Sequence, residues 1–401
     1  MNNPTIGAQT GEPVTKAAWG AVISMALGVF GLVGAEFLPA SLLTPMAADL
    51  GVSEGMAGQA VTATAAVALL TSLVITVLTR SLDRRAVLLG FSMLLIGSNL
   101  LVAFAPNLPL LLAGRILLGV ALGGFWTLSA ATMMRLVPEA SVPRALSIMF
   151  SGVSAATVFA APLGSYLGEV AGWRNVFVAA AGLGVLALAV QFATLPALPP
   201  RGHTRLGTMF EVLGRPLVGL AMLAILLVFT GHFAFFTYIR PFLDTVTNAG
   251  AGQISIILLG FGIANFIGNY AGGLLLERTM RLTLLQMPLV MGTHALLLAT
   301  FGGSMMVDAA LVALWGFAFG GVPVAWSTWI TRAVPDEAES AGGLFVAAIN
   351  LAIALGAAGG GAIYDMSNAV NVFFVSGLML FAATVTILIG IRTRPVVLSE
   401  A

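Results

Sequence analysis

Polar positions in this chain come in short breaks. Between them run apolar stretches of about 20 residues, each long enough to cross a bilayer core about 30 Å thick. Twelve stretches can be marked, near 18–41, 56–79, 86–105, 108–133, 145–168, 175–195, 216–239, 252–275, 282–302, 306–330, 341–363 and 369–391. Composition fits that pattern: 59% of the 401 residues are hydrophobic and 8% charged, where a soluble domain carries about 25% charge. An all-α integral membrane protein is expected. Cysteine is absent, which excludes disulfides, thiolate catalysis and cysteine metal sites, and no metal or cofactor is expected. The first 17 residues are polar and hold no separate apolar core with a cleavage site, so the first span is expected to act as its own targeting signal. A net charge of +1 points to no nucleic-acid partner.

Basic residues set the expected orientation. If the N-terminus is cytoplasmic, every Lys and Arg lies inside except Arg174 and Arg240, which fall outside, and Arg115, which sits within the fourth span. This is the bias of the positive-inside rule, and it puts both termini in the cytoplasm. The longest polar break, "PALPPRGHTRLGTMFEVLGR" at 196–215, divides the spans six and six. It reads as a cytoplasmic linker with a short amphipathic helix around 208–213. The expected organisation is a tail (1–17), a six-helix bundle (18–195), the linker (196–215), a second bundle (216–391) and a tail (392–401).

The halves resemble each other. "AGQ" at 57–59 recurs at 251–253, Leu82-Asp83-Arg84 becomes Leu276-Glu277-Arg278, and "RLVPE" at 135–139 matches "RAVPD" at 332–336. Gly119, Gly123 and Gly124 map onto Gly316, Gly320 and Gly321. With six helices per unit the two copies share one membrane orientation, a parallel repeat whose substrate site lies at the interface near the midplane. At an offset of 196, Phe37 pairs with Phe233, Pro45 with Pro241, and Glu36 with His232.

A charge at mid-bilayer costs about 2.5–3.5 kcal/mol on insertion scales, and such charges face the bundle interior and pair. Counted at 1.5 Å per residue, Glu36 lies about 8 Å and Arg115 about 10 Å from the outer surface. Opposite charges at one depth are expected to pair where their helices are neighbours, serving either proton coupling or static orientation of spans 1 and 4. His232 would titrate near physiological pH if unperturbed, and either carries a proton, bonds substrate or is a satisfied polar contact. Asp308 reads as a solvated charge at the outer lip of span 10. Trp126 lies three turns past Arg115, and Trp315 and Trp326 repeat that spacing on span 10. With Tyr238, Asn265, Asn269 and Asn350 they form the candidate cavity set, aromatic faces for stacking and amides for edge hydrogen bonds. Anchoring, core packing and interhelical hydrogen bonds are the competing roles. No phosphate loop precedes a lysine, no HExxH occurs, and no Ser/His/Asp set lies within the spans, so an enzyme or ATP-driven pump is not expected.

Several stretches resemble the drug-and-sugar efflux branch of proton antiporters in the major facilitator superfamily: "EFLPASLLTPMAADLGVS" (36–53), "SLDRRAVLLG" (81–90), "GRILLGVALGGFW" (114–126), "APLGSYLGEVAGWRNVF" (161–177) and "TGHFAFFTYIRPFL" (230–243). Three departures stand out: Thr79 replaces the leading glycine of the 2–3 loop signature, that signature's internal glycine is missing, and Ala161 replaces a glycine of the span 5 motif. The resemblance implies the major-facilitator fold, two six-helix bundles around a central cavity. It implies proton coupling through Glu36, Arg115 and His232, a gating loop with Asp83, Arg84 and Arg85, and an antiporter motif with Pro162 and Gly164. Within the branch the chain is most similar to the bacterial purine ribonucleoside efflux pumps. That implies export of inosine and guanosine across a bacterial inner membrane by a monomer, with the proton as coupling ion; a broad drug or arabinose-type sugar exporter is the alternative.

Overall fold

A computed structural model describes residues 17–138, 141–199, 211–215, 217–334 and 338–390. Among them, twelve helical stretches are long and apolar enough to cross a membrane: Trp19–Leu50, Glu54–Ile75, Arg84–Ala103, Leu108–Ser129, Arg144–Val170, Trp173–Thr194, Val218–Thr237, Ala251–Leu276, Thr279–Phe301, Met305–Ile330, Ala341–Met366 and Ala369–Gly390. These are spans 1 to 12. The described residues contain no strand. The end of the bundle that carries Ala17 and the 2–3 connection is called the near end, and the end with the 1–2 connection the far end.

Span 1 packs on spans 5 and 6, span 2 on span 4, and span 3 on spans 4 and 6. In the second half, span 7 packs on spans 11 and 12, and spans 8 and 9 pack on spans 10 and 12. The repeated glycines seat equivalent helix pairs. A side chain on Gly119 or Gly123 would strike the Thr64 or Ala68 carbonyl of span 2, and one on Gly316 or Gly320 the Phe261 or Asn265 carbonyl of span 8. The halves meet where span 2 crosses span 11 and span 5 crosses span 8. The core of the second half runs across this interface into small residues of the first, including Ala40, Ala57, Ala65 and Ala161, which permit close approach. Large apolar side chains such as Leu70, Phe104, Phe192, Ile256 and Ile389 stay exposed, as a lipid-facing perimeter requires.

Four local features differ from the expected map. Span 1 continues nine residues past 41, because Pro39 and Pro45 interrupt its hydrogen bonding without ending it. It stops at Gly51, whose left-handed φ of 64° lets its N–H reach the Ala47 and Ala48 carbonyls. Glu36 therefore lies about 21 Å from the far end of its helix rather than about 8 Å. Span 7 ends at Thr237, and a short helix, Ile239–Thr245, follows Tyr238 at a new angle. Pro241 has no N–H to offer the Thr237 carbonyl, which accounts for the break. Spans 8 and 9 lie in one helical run, Ala251–Phe301, kinked where Thr279 takes a non-helical conformation (φ −152°, ψ 85°). Span 10 is divided at Gly321 into Met305–Gly320 and Val322–Ala333.

The start of the expected linker is fastened to the first half. Leu198 is buried, and its N–H donates to both carboxylate oxygens of Asp83 at 3.0 and 3.1 Å. Of the amphipathic helix expected at 208–213, residues 211–213 are helical and the rest lie outside the described residues. Both expected tails, apart from Ala17, lie outside them too, as do parts of the 135–139 and 332–336 repeat.

Candidate functional site

Pro39 cannot donate to the carbonyl of Ala35 four residues back, so it leaves that oxygen free in the middle of span 1. Arg115 fills the vacancy. Its Nη1 donates to the Ala35 carbonyl at 2.8 Å, its Nε to the Ala60 carbonyl of span 2 at 3.1 Å, and its Nη2 to the Glu36 carbonyl at 3.4 Å. Arg115 is wholly buried and ties spans 1, 2 and 4 together through main-chain oxygens. The expected side-chain ion pair with Glu36 is not formed. Among the described residues the one ion pair joins Arg174 and Asp49.

The Glu36 carboxylate makes no hydrogen bond among the described residues, though it lies close enough to Arg115 to feel its charge. It lines a cavity of about 10 Å³, room for about one water molecule. Phe37, Ala40 and Val61 of the first half and Phe233, Phe236, Thr237 and Ile353 of the second complete the lining. Phe37 and Phe236 meet edge to face across the interface, centroids 5.4 Å apart. This is the one place among the expected site residues where an ionisable group without a hydrogen bond faces space between the halves. In this conformation the space is far smaller than the roughly 300 Å³ or more of a typical small-molecule site.

His232 lies elsewhere. It is buried inside the second half, where the Trp315 indole N–H donates to its Nδ1 at 3.0 Å. Phe319 stacks on its ring, and Phe236 and Phe261 lie parallel further out. A ring that accepts at Nδ1 is a neutral imidazole with its proton on Nε2. Matched register thus does not bring His232 to the Glu36 cavity.

The other expected cavity residues are dispersed. Trp315 also stacks on Phe235, and Trp326 is buried against Trp329. The break at Gly321 separates those two tryptophans, so the spacing that suggested one shared face does not act on one straight helix. Trp126 packs on Phe150 of span 5. Tyr238 is buried and donates to the Ala357 carbonyl at 3.0 Å. Asn265 donates to the Gly316 carbonyl of span 10 at 3.3 Å, Asn350 to the Val346 carbonyl of its own helix at 3.0 Å, and Asn269 is exposed. None of them lines the Glu36 cavity.

In the 2–3 loop, Asp83 caps span 3 by accepting from the Arg85 N–H at 2.7 Å while it holds Leu198. Arg84 donates to Thr79, and Arg85 to the Phe192 carbonyl of span 6. All three therefore engage the first half. On span 5, Pro162 is buried, and Gly164 lies against span 1, where a Cβ would come within 2.9 Å of Leu38. Asp308, expected at a solvated lip, is fully buried; it accepts from the Thr247 hydroxyl at 2.7 Å and the Gly303 N–H at 2.9 Å. The burial comes from the 7–8 and 9–10 connections folding over the start of span 10.

Two charged groups bridge the halves at the far end, and sequence reasoning had not singled them out. Arg240 on the short helix donates to the Ser41 carbonyl of span 1 and to the Ser165 hydroxyl of span 5. Asp365 at the end of span 11 accepts from the Ser53 hydroxyl at 2.8 Å and the Gly55 N–H at 3.1 Å, at the start of span 2. One signal was available: Arg174 and Arg240 are the two exceptions to the charge bias, and both prove to be engaged. Among the described residues, no cluster of three or more His, Asp or Glu could hold a metal ion.

The model of the family described as Major Facilitator Superfamily matches residues 25–357. The chain belongs to that superfamily. It is 48% identical over 373 residues to the purine ribonucleoside efflux pump NepI of Escherichia coli (strain K12), covering 93% of this chain and 94% of that protein. Its identity to the protein of the same name from Salmonella typhimurium (strain LT2) is 46% over 384 residues, with coverage of 96% and 97%. Among solved structures it is similar in fold to a bacterial homologue of the human lysosomal transporter Spinster (TM-score 0.76, 14% identity) and to the D-xylose–proton symporter (0.73, 17%). Both similarities cover 94% of this chain and 98% of the other. The protein is thus a multi-pass membrane transporter of the major-facilitator fold.

Proposed function

We propose that the protein exports purine ribonucleosides, inosine and guanosine among them, by proton antiport with alternating access. The observation that carries this reading is identity of 46–48% to purine ribonucleoside efflux pumps over more than nine-tenths of both chains. The geometry supports a proton site at Glu36, a carboxylate without a hydrogen bond in a cavity between the halves. Protonation there removes a charge from the interface that must open and close. Arg115 stays on its carbonyls in both protonation states and biases the carboxylate by charge alone. On this reading the far end faces the periplasm, both termini are cytoplasmic, the membrane is a bacterial inner membrane, and a monomer suffices without cofactor. Each proton entering gains about 2.3 kcal/mol per 100 mV of membrane potential.

Everted vesicles with an acid interior should accumulate radiolabelled inosine, and collapse of the pH gradient should stop it. Competition by arabinose or chloramphenicol equal to that by guanosine would replace the nucleoside reading with a broad exporter. Accumulation that ignores the gradient would end the antiport reading.

A further inference from the structure

Span 1 carries two interior prolines, and the structure uses the oxygen each one frees in a parallel way. Pro39 frees Ala35, and Pro45 frees Ser41, each four residues back. A guanidinium sits on both: Arg115 on the Ala35 carbonyl and Arg240 on the Ser41 carbonyl. The pairs differ in one respect. Arg115 belongs to the same half as its oxygen, whereas Arg240 reaches over from the second half. Arg240 is 8% exposed, and a second donation to the Ser165 hydroxyl at 3.0 Å completes its seat. Gly164 leaves the room that brings span 5 against Ser41 beside this seat. The Arg240 Nε, buried, has no partner. Among the described residues, every side-chain hydrogen bond between the halves lies at the far end, and Arg240 and Asp365 hold most of them.

We propose that Arg240 is a positioning residue for transport, a latch that shuts the far end of the passage by docking into a socket made by Pro45 and Ser165. Opening that end separates spans 1 and 5 from the short helix, so the latch must release in each cycle. The equivalent bond of Arg115, within one half, stays made. Strength of the latch then sets how much of the resting population is open at the far end. The proposal rests on the transport reading only for its place in the cycle.

The test uses the full chain in lipid nanodiscs, with spin labels at Phe104→Cys and Met306→Cys, two exposed far-end positions in opposite halves. The native chain has no cysteine, so no background label arises. Arg240→Gln should raise the long-distance population several-fold over the parent, and Arg240→Lys, which keeps the charge but places its donors on a shorter, non-planar head, should fall between. Pro45→Ala is the discriminating variant. It restores an N–H that competes for the Ser41 carbonyl, and it should reproduce the shift with every charge retained. Asn269→Ala, at an exposed position that makes no bond between the halves, should leave the distances at parental values. Unchanged distances in monodisperse Arg240→Gln and Pro45→Ala protein would overturn the latch. Inosine export is measured on the parent in parallel. A distance shift without any export by the parent rejects the transport substrate and keeps the latch, whereas export without a shift does the reverse.

Discussion

Glu36 and His232 occupy matched positions in the two halves, and their surroundings are opposite. The carboxylate faces a small space between the halves and has no hydrogen bond, while the imidazole is sealed in its own half by an indole donor and a stacked phenylalanine. A titratable group can serve transport only if protons reach it in one state of the cycle and leave in another. On the alternating-access reading proposed above, the interface between the halves rearranges while each half moves as a body. Of the two matched positions, only Glu36 lies at the surface between the halves, and it alone meets what the proposed antiport asks of a coupling site.

The largest expected effect separates these two residues. Glu36→Gln keeps the shape and removes the proton site, so gradient-driven inosine export should fall by about two orders of magnitude, the scale on which a positioned proton-transferring group acts. Its unfolding temperature in detergent should not fall, since the variant loses no hydrogen bond. His232→Gln should keep its dependence on the gradient even if turnover drops. Next comes Arg115→Met, which strands the oxygen freed by Pro39; a buried unpaired polar group costs about 1–3 kcal/mol, and thermal unfolding should report that loss. Trp315→Phe is expected to destabilise on the lower side of the same range by leaving the His232 Nδ1 without its donor, with export retained. The smallest effect belongs to Asn269→Ala at an exposed position, within about 0.5 kcal/mol in stability and without change in export.

Hydropathy carried most of the fold into view, because twelve apolar stretches and a repeated glycine pattern are written in the local sequence. The seating of Gly119 and Gly316 on equivalent partner helices follows from that repeat. Depth was less legible. The apolar run alone suggested that span 1 ended near 41, yet the helix carries Pro39 and Pro45 on to Leu50, because a bundle tolerates proline when another side chain serves the freed oxygen, and arginines do so twice here. The pairing of Glu36 with Arg115 was misjudged for the same reason. Two opposite charges at one depth invite a salt bridge, but the proline-freed carbonyl offers the guanidinium a fixed acceptor. Arg240 could not be placed without knowing how span 7 breaks before Pro241. Trp315, Trp326 and Asn350 show the general limit: spacing along a helix assigns a face, but not whether that face meets the passage or the neighbouring helix.

The most direct test of the account asks which residue releases a proton when substrate binds. Purified protein in weakly buffered detergent solution, with a pH-sensitive dye, is mixed with inosine. The account predicts proton release from the parent and from His232→Gln, and none from Glu36→Gln. Release that persists in Glu36→Gln, or that vanishes in a folded His232→Gln protein, would contradict it.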